Sequence, residues 1–127
     1  MDIVKILGDV CMRNTWQLTG RQATLPIEGG RTQVIELERF QFQGEDMARI
    51  FTLVGPADEL STVQLNAILS INFSLAFGAL AFAKGQLVMA DTFLLRHIDH
   101  DQLAFSMNFL AQTADDYERQ IYGTDEH

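Results

Sequence analysis

Hydrophobic residues recur at helical spacing in three stretches of the chain and at strand spacing between them. Ile3, Ile6, Leu7 and Val10 form one apolar stripe behind Asp2, which predicts a helix capped by Asp2 that fades between Asn14 and Gly20. "RQATLPIEGG" reads as a short strand ending in a Gly-Gly turn, and Pro26 suits an edge, where a missing N–H costs least. "RTQVIELERFQF" is β-branched and aromatic. Ile35 and Leu37 share one phase and Phe40 and Phe42 the other, which fits either a bulge between the pairs or a strand with two apolar faces. "QGED" is a turn, "MARIFTLV" a third strand, and "GPAD" ends it. Ser61 caps a second helix whose apolar residues, Val63, Leu65, Ile68, Leu69 and Ile71, nearly encircle it. Asp99 and Gln102 have capping-box spacing ahead of a last helix. Its stripe is Leu103, Met107, Leu110, Ala114, Tyr117 and Ile121, and Gly123 stops it.

The stretch "FSLAFGALAFAKGQLVMADTFLL", Phe73 to Leu95, breaks the usual rule of one oily and one wet strand face. Lys84 and Asp91 are its only charges. The pattern turns to strand around Phe73, Lys84-Gly85 is a two-residue hairpin turn, and "QLVMADTFLL" returns. If helices cover one face of this hairpin, the other is an apolar patch, and such patches mark interfaces. The expected interface is twofold, built by the second helix and the hairpin: Leu65, Ile68, Leu69, Phe73, Phe77, Leu87 and Met89. The competing arrangement places the first and last helices on opposite sides of the sheet and buries both faces within one chain. Phe40, Phe42, Ile50 and Phe51 form a second apolar zone, a candidate seat for an extended partner segment at a sheet edge. Their plainer role is ordinary core.

The order helix, three strands, helix, two strands, helix predicts an α+β fold, α-βββ-α-ββ-α, with an antiparallel sheet packed on helices. The 127 residues form one expected domain, 1–127, without repeats or linkers. Ser61 to Ala83 carries no charge and is long enough to span a bilayer. Asn66, Asn72, three serines and Gly78 interrupt it, so a helix followed by a buried strand explains it better. The net charge of −8 disfavours nucleic acid as a partner. One cysteine, Cys11, allows no internal disulfide. The start, with Asp2 and Asp9 among apolar residues, lacks the pattern of a signal peptide, which points to the cytoplasm.

Catalytic and metal-binding constellations are sparse. "HIDH" sets His97 and His100 beside Asp99 and Asp101, but a lone His-x-x-His is a weak metal signal and acidic residues suit a helix start. Cys11 beside an apolar stripe reads as a small hydrophobe before it reads as a nucleophile. Glu36 and Glu38 share a strand face as paired carboxylates would, or as the wet side of any strand does. No glycine spacing matches a phosphate loop. No catalytic residue, metal or cofactor is assigned, and the weight falls on binding.

The whole order of elements resembles the CesT/Tir family of type III secretion chaperones and the related YbjN-like proteins. The likeness runs from "DIVKILGDVC" through the strand region Arg21 to Val54 and "LNAILSINFSLAFGALAFAKGQLVMADTFLL". It closes on "DHDQLAFSMNFLAQTADDYERQI". In the stretch from Leu65 to Leu95 the family has a helix with an Asn near its end and then a hairpin with a small turn, and a closing helix follows. The resemblance implies a bacterial homodimer that holds an extended client segment along apolar patches without a nucleotide cofactor. The expected function is therefore a non-enzymatic protein-binding domain. The alternatives are a YbjN-like regulatory protein, or a small-molecule-binding or catalytic α+β domain in which His97 and His100 are the first polar residues to test.

Overall fold

The computed structural model describes residues 2–123. The first helix, α1 (Ile3–Asn14), starts where the Asp2 carboxylate accepts from the N–H groups of Val4 and Lys5. Capping these orphan donors and burying Ile3, Ile6, Leu7, Val10 and Cys11 in one stripe are what fix it there. Four strands follow: β1 (Gln17–Thr19), β2 (Gln22–Pro26), β3 (Thr32–Phe42) and β4 (Glu45–Pro56). Next come α2 (Thr62–Asn72), β5 (Ala79–Ala83), β6 (Gln86–Leu94) and α3 (His100–Tyr122), with single 3-10 turns at Ala57–Glu59 and Leu95–His97. The six strands make one antiparallel sheet in the order β1-β2-β3-β4-β6-β5. The fold is thus the expected α+β arrangement with one further strand, β1.

Strand alternation decides which face each residue serves. Ala23, Leu25, Ile35, Leu37, Ala48, Ile50, Val54, Leu87 and Met89 point to the side on which α1 and α3 pack, and with the stripes of those helices they form one core. The first and last helices therefore share a face, and the arrangement with helices on both sides is not found. Two-residue turns join β3 to β4 at Gln43-Gly44 and β5 to β6 at Lys84-Gly85. All four residues have positive φ, the conformation that matches the strand twist.

Two local expectations are corrected, and of the two arrangements open for β3 the strand with two apolar faces is found. Phe73 to Gly78 is not strand: β5 begins at Ala79, because α2 runs to Asn72 and Gly78 takes φ +64° against the Ala90 carbonyl, where a Cβ would collide. Ile35, Leu37, Phe40 and Phe42 are not brought to one face by a bulge. β3 pairs with β4 without interruption from Glu36 to Phe42, so Phe40 and Phe42 lie on the face opposite the core. The register shift occurs in β4, between Leu53 and Gly55. Pro26 lies in an inner strand, but β1 covers only Gln22 to Thr24, so Pro26 still lies where no neighbour needs its N–H.

Candidate functional site

The face of the sheet away from the helices is the first candidate. Its rows follow from the register. Val34 and Leu53 line one stretch of this face, Leu53 opposes Val88, and Val88 opposes Ala81. One row further along, Glu36 opposes Phe51, Phe51 opposes Ala90, and Ala90 opposes Ala79. The result is a groove of about 590 Å3 with a floor of alanines and Val88, walled by Phe51 and Leu53. Leu53 is 54% exposed. A leucine left half in water beside so much other carbon is an apolar patch awaiting cover.

A polar row crosses the same face. Arg49 pairs with Glu38, and its guanidinium stands 4.3 Å over the Phe40 ring. Beyond it lies an aromatic end: Phe40 opposite Met47, Met47 opposite Leu94, and Phe42 at the tip, 57% exposed. The outer face thus has two apolar zones, one alanine-floored and one aromatic, divided by an ion pair.

Helix α2 carries the second candidate surface. It has no charged residue, and only Ile68 is buried. Val63, Leu69 and Phe73 are 78%, 70% and 96% exposed. Ser61 and Gln64 close a capping box at its start, so the helix is held at its N-terminus by local bonds and at its middle by Ile68 in the core. Phe77, in the following loop, rests between Phe105 and Phe109 of α3 with ring centroids 5.5 Å apart in both pairs.

The residues expected at the interface divide accordingly. Leu65, Leu69, Phe73 and Phe77 reach the surface in whole or part, whereas Ile68, Leu87 and Met89 are core residues of this chain and offer no contact surface. Of the expected partner-binding set, Phe40, Phe42 and Phe51 lie on the outer face. Ile50 lies on the opposite side of β4, wholly buried. Val34, Leu53 and Leu94 join them on the outer face and lie outside the expected set, and Val88, on the same face, is buried. Their signal was present in the alternation of β3, β4 and β6, but it needs the cross-strand register to become a patch.

The histidines do not converge. His97 is exposed in the turn before α3, while His100 Nε2 faces Asp9 Oδ2 at 3.5 Å between α3 and α1. Among the described residues no group of three or more His, Cys, Asp or Glu side chains gathers as metal ligands do. Glu36 accepts from Gln22 and Glu38 pairs with Arg49, so the two carboxylates serve the sheet surface. Burial pushes the Cys11 thiol above its ordinary range, the opposite of an activated nucleophile. No helix among the described residues is long and apolar enough to cross a membrane.

Comparison with known proteins bears on the fold. No family model and no curated protein matches the chain. Among solved structures it is similar to a chain in the structure of the HopA1-SchA chaperone-effector complex. Identity is 12%, the match covers 98% of this chain and 93% of that one, and the TM-score is 0.54. At that identity the likeness shows a shared fold.

Proposed function

We propose that this is a non-enzymatic, chaperone-like binding domain that acts in the cytoplasm as a homodimer and holds an extended segment of a partner protein. The observation that carries the reading is the division of labour in the sheet. One face packs both long helices, and the other leaves two apolar zones, including Leu53 and Phe42, open to solvent. A fold shared with a chain of a chaperone-effector complex supports the same reading.

The two unpartnered surfaces suit two roles. Helix α2, uncharged and exposing Leu69 and, at its C-cap, Phe73, serves the twofold contact together with the alanine-floored groove of the outer face. The aromatic end, around Phe40, Phe42, Met47 and Leu94, takes the partner segment, whose apolar side chains replace water there.

The test has two parts. Light scattering of the pure protein is expected to give twice the chain mass, and Phe73→Asp to reduce it to one chain without loss of fold. Capture from the source lysate is expected to yield one stoichiometric protein partner that Phe42→Asp loses and Phe73→Asp retains or weakens. A wild-type monomer overturns the dimer. A partner indifferent to Phe42→Asp, or none, overturns the client seat and returns weight to the ligand-binding alternative.

A further inference from the structure

We propose that Asn72 plugs the β5 edge of the sheet, its side-chain amide occupying the place of a neighbouring strand and so barring a second copy of this chain from pairing there. The inference concerns an edge and not a face, and it stands whether or not the reading above holds.

The sheet ends at β1 on one side and at β5 on the other. Exposed edge strands template pairing with other chains, and proteins blunt them with charges, prolines, bulges or covering elements. β5, "ALAFA", contains no charge and no proline, and its residues are small or apolar. Such a strand is close to an ideal partner for its own copy in antiparallel register.

What stands in the way is one side chain. The Leu80 N–H donates to Asn72 Oδ1 at 2.6 Å, and Asn72 Nδ2 donates to the Leu80 carbonyl at 3.0 Å. Those two bonds reproduce the exchange a strand residue makes with its opposite number in a closely spaced antiparallel pair. They also fix the geometry: Leu80 turns its backbone groups outward and, by alternation, Phe82 aims its own pair the same way. A second β5 entering this edge has to displace the amide from Leu80, the second residue of the strand. The amide is well anchored, since Asn72 is the last residue of α2 and Ile68, one turn earlier, is in the core. Only an amide of this length offers donor and acceptor together. Aspartate at neutral pH keeps the acceptor alone, and leucine keeps the shape and neither bond.

The experiment measures particle mass by light scattering for wild type and Asn72→Leu at the same concentration, with amide hydrogen exchange at Leu80. The expected result is a mass about twofold or more above that of wild type. Leu80 stays protected in the larger species, because a strand has replaced the amide. Adding Phe82→Lys, which puts a charge on the opened edge, is expected to restore the wild-type mass. Wild-type mass together with fast exchange at Leu80 in Asn72→Leu overturns the proposal, since the edge is then open and unused. A mass gain that Phe82→Lys does not reverse also overturns it, as general aggregation. If circular dichroism shows that Asn72→Leu does not fold, Asn72→Ala, which removes both bonds and adds no charge to the edge, is read by the same criteria. The wild-type mass, one chain or two, is only the reference, so failure here is distinct from failure of the homodimer.

Discussion

The ring of Tyr122 occupies the space that a side chain at Gly55 would need. A Cβ there would lie 2.9 Å from Tyr122 Cδ2 and closer still to Cε2 and Cζ. The Tyr122 hydroxyl also donates to the Pro56 carbonyl at 2.8 Å, so the last turn of α3 is pinned where β4 shifts register. Gly55→Ala is expected to destabilise the fold by about 1–3 kcal/mol through overpacking. Tyr122→Phe, which removes only the hydrogen bond, is expected to cost about 1 kcal/mol. Urea unfolding checks both, and the cost of Gly55→Ala should shrink in a Tyr122→Ala background, because the two residues meet.

Arg31 joins the loop before β3 to the middle of α3. Its Nε and Nη2 meet the two oxygens of the buried Asp115 at 3.1 and 2.9 Å, and Arg119 Nε approaches the same carboxylate at 3.4 Å. Removing one partner of a buried pair costs more than the pair itself contributes, since a charge stays behind without its best donors. Arg31→Ala is expected to lower stability by about 2–3 kcal/mol. Arg31→Lys should recover little of it, because a point charge cannot make the forked contact. Thermal melts of the three proteins give the comparison.

Cys11 supplies a pH signature. Burial holds its thiol neutral in the folded chain at a pH where the unfolded chain's thiol ionises. The unfolded state then binds fewer protons, so stability is expected to fall as pH rises above about 8.5. Tyr117, raised by burial and then by Asp116, and Tyr122, raised by burial and then by Glu59 and Asp58, add the same trend above about pH 10. Cys11→Ala is expected to lack the first part of the decline. Iodoacetamide at about pH 8 should label the native protein far more slowly than the urea-unfolded chain.

The two faces of the sheet predict opposite responses to a charge. Phe42→Asp is expected to change stability by less than about 1 kcal/mol, and Ile50→Asp to prevent folding. Circular dichroism after purification distinguishes them. Loss of fold in Phe42→Asp would show that the outer face is part of a packed interior.

Much of this architecture is legible in the residues themselves. Asp2, Ser61 and Asp99 announce three helix starts because capping is a local bond, and Gly123 ends α3 for an equally local reason. Strand β1 was missed because three residues, Gln17 to Thr19, carry too little alternation to stand out from the helix end before them. Phe73 to Gly78 looked like strand because the run is apolar, whereas Phe73 is solvent-exposed and Phe77 is drawn to Phe105 and Phe109 on a helix far along the chain. The same difficulty put Ile68, Leu87 and Met89 at an interface: a hairpin with two oily faces does not say which one meets the helices. The choice between faces is made by α1 and α3, and no window of the hairpin contains that information.

The order β4-β6-β5 also sets a timetable for biosynthesis. β2, β3 and β4 meet through short turns, so they can pair as soon as they leave the ribosome. β4 then waits: its other neighbour is β6, and Ile50 does not meet Asp91 until α2 and β5 have been made. Through that interval the longest strand of the sheet is a bare edge with Ile50 and Val54 unshielded, and α3 comes later still. Slow closure of distant strands is the usual point of vulnerability in such folds. Until β6 and α3 arrive, the nascent chain is itself a polypeptide whose apolar strand needs protection from wrong partners.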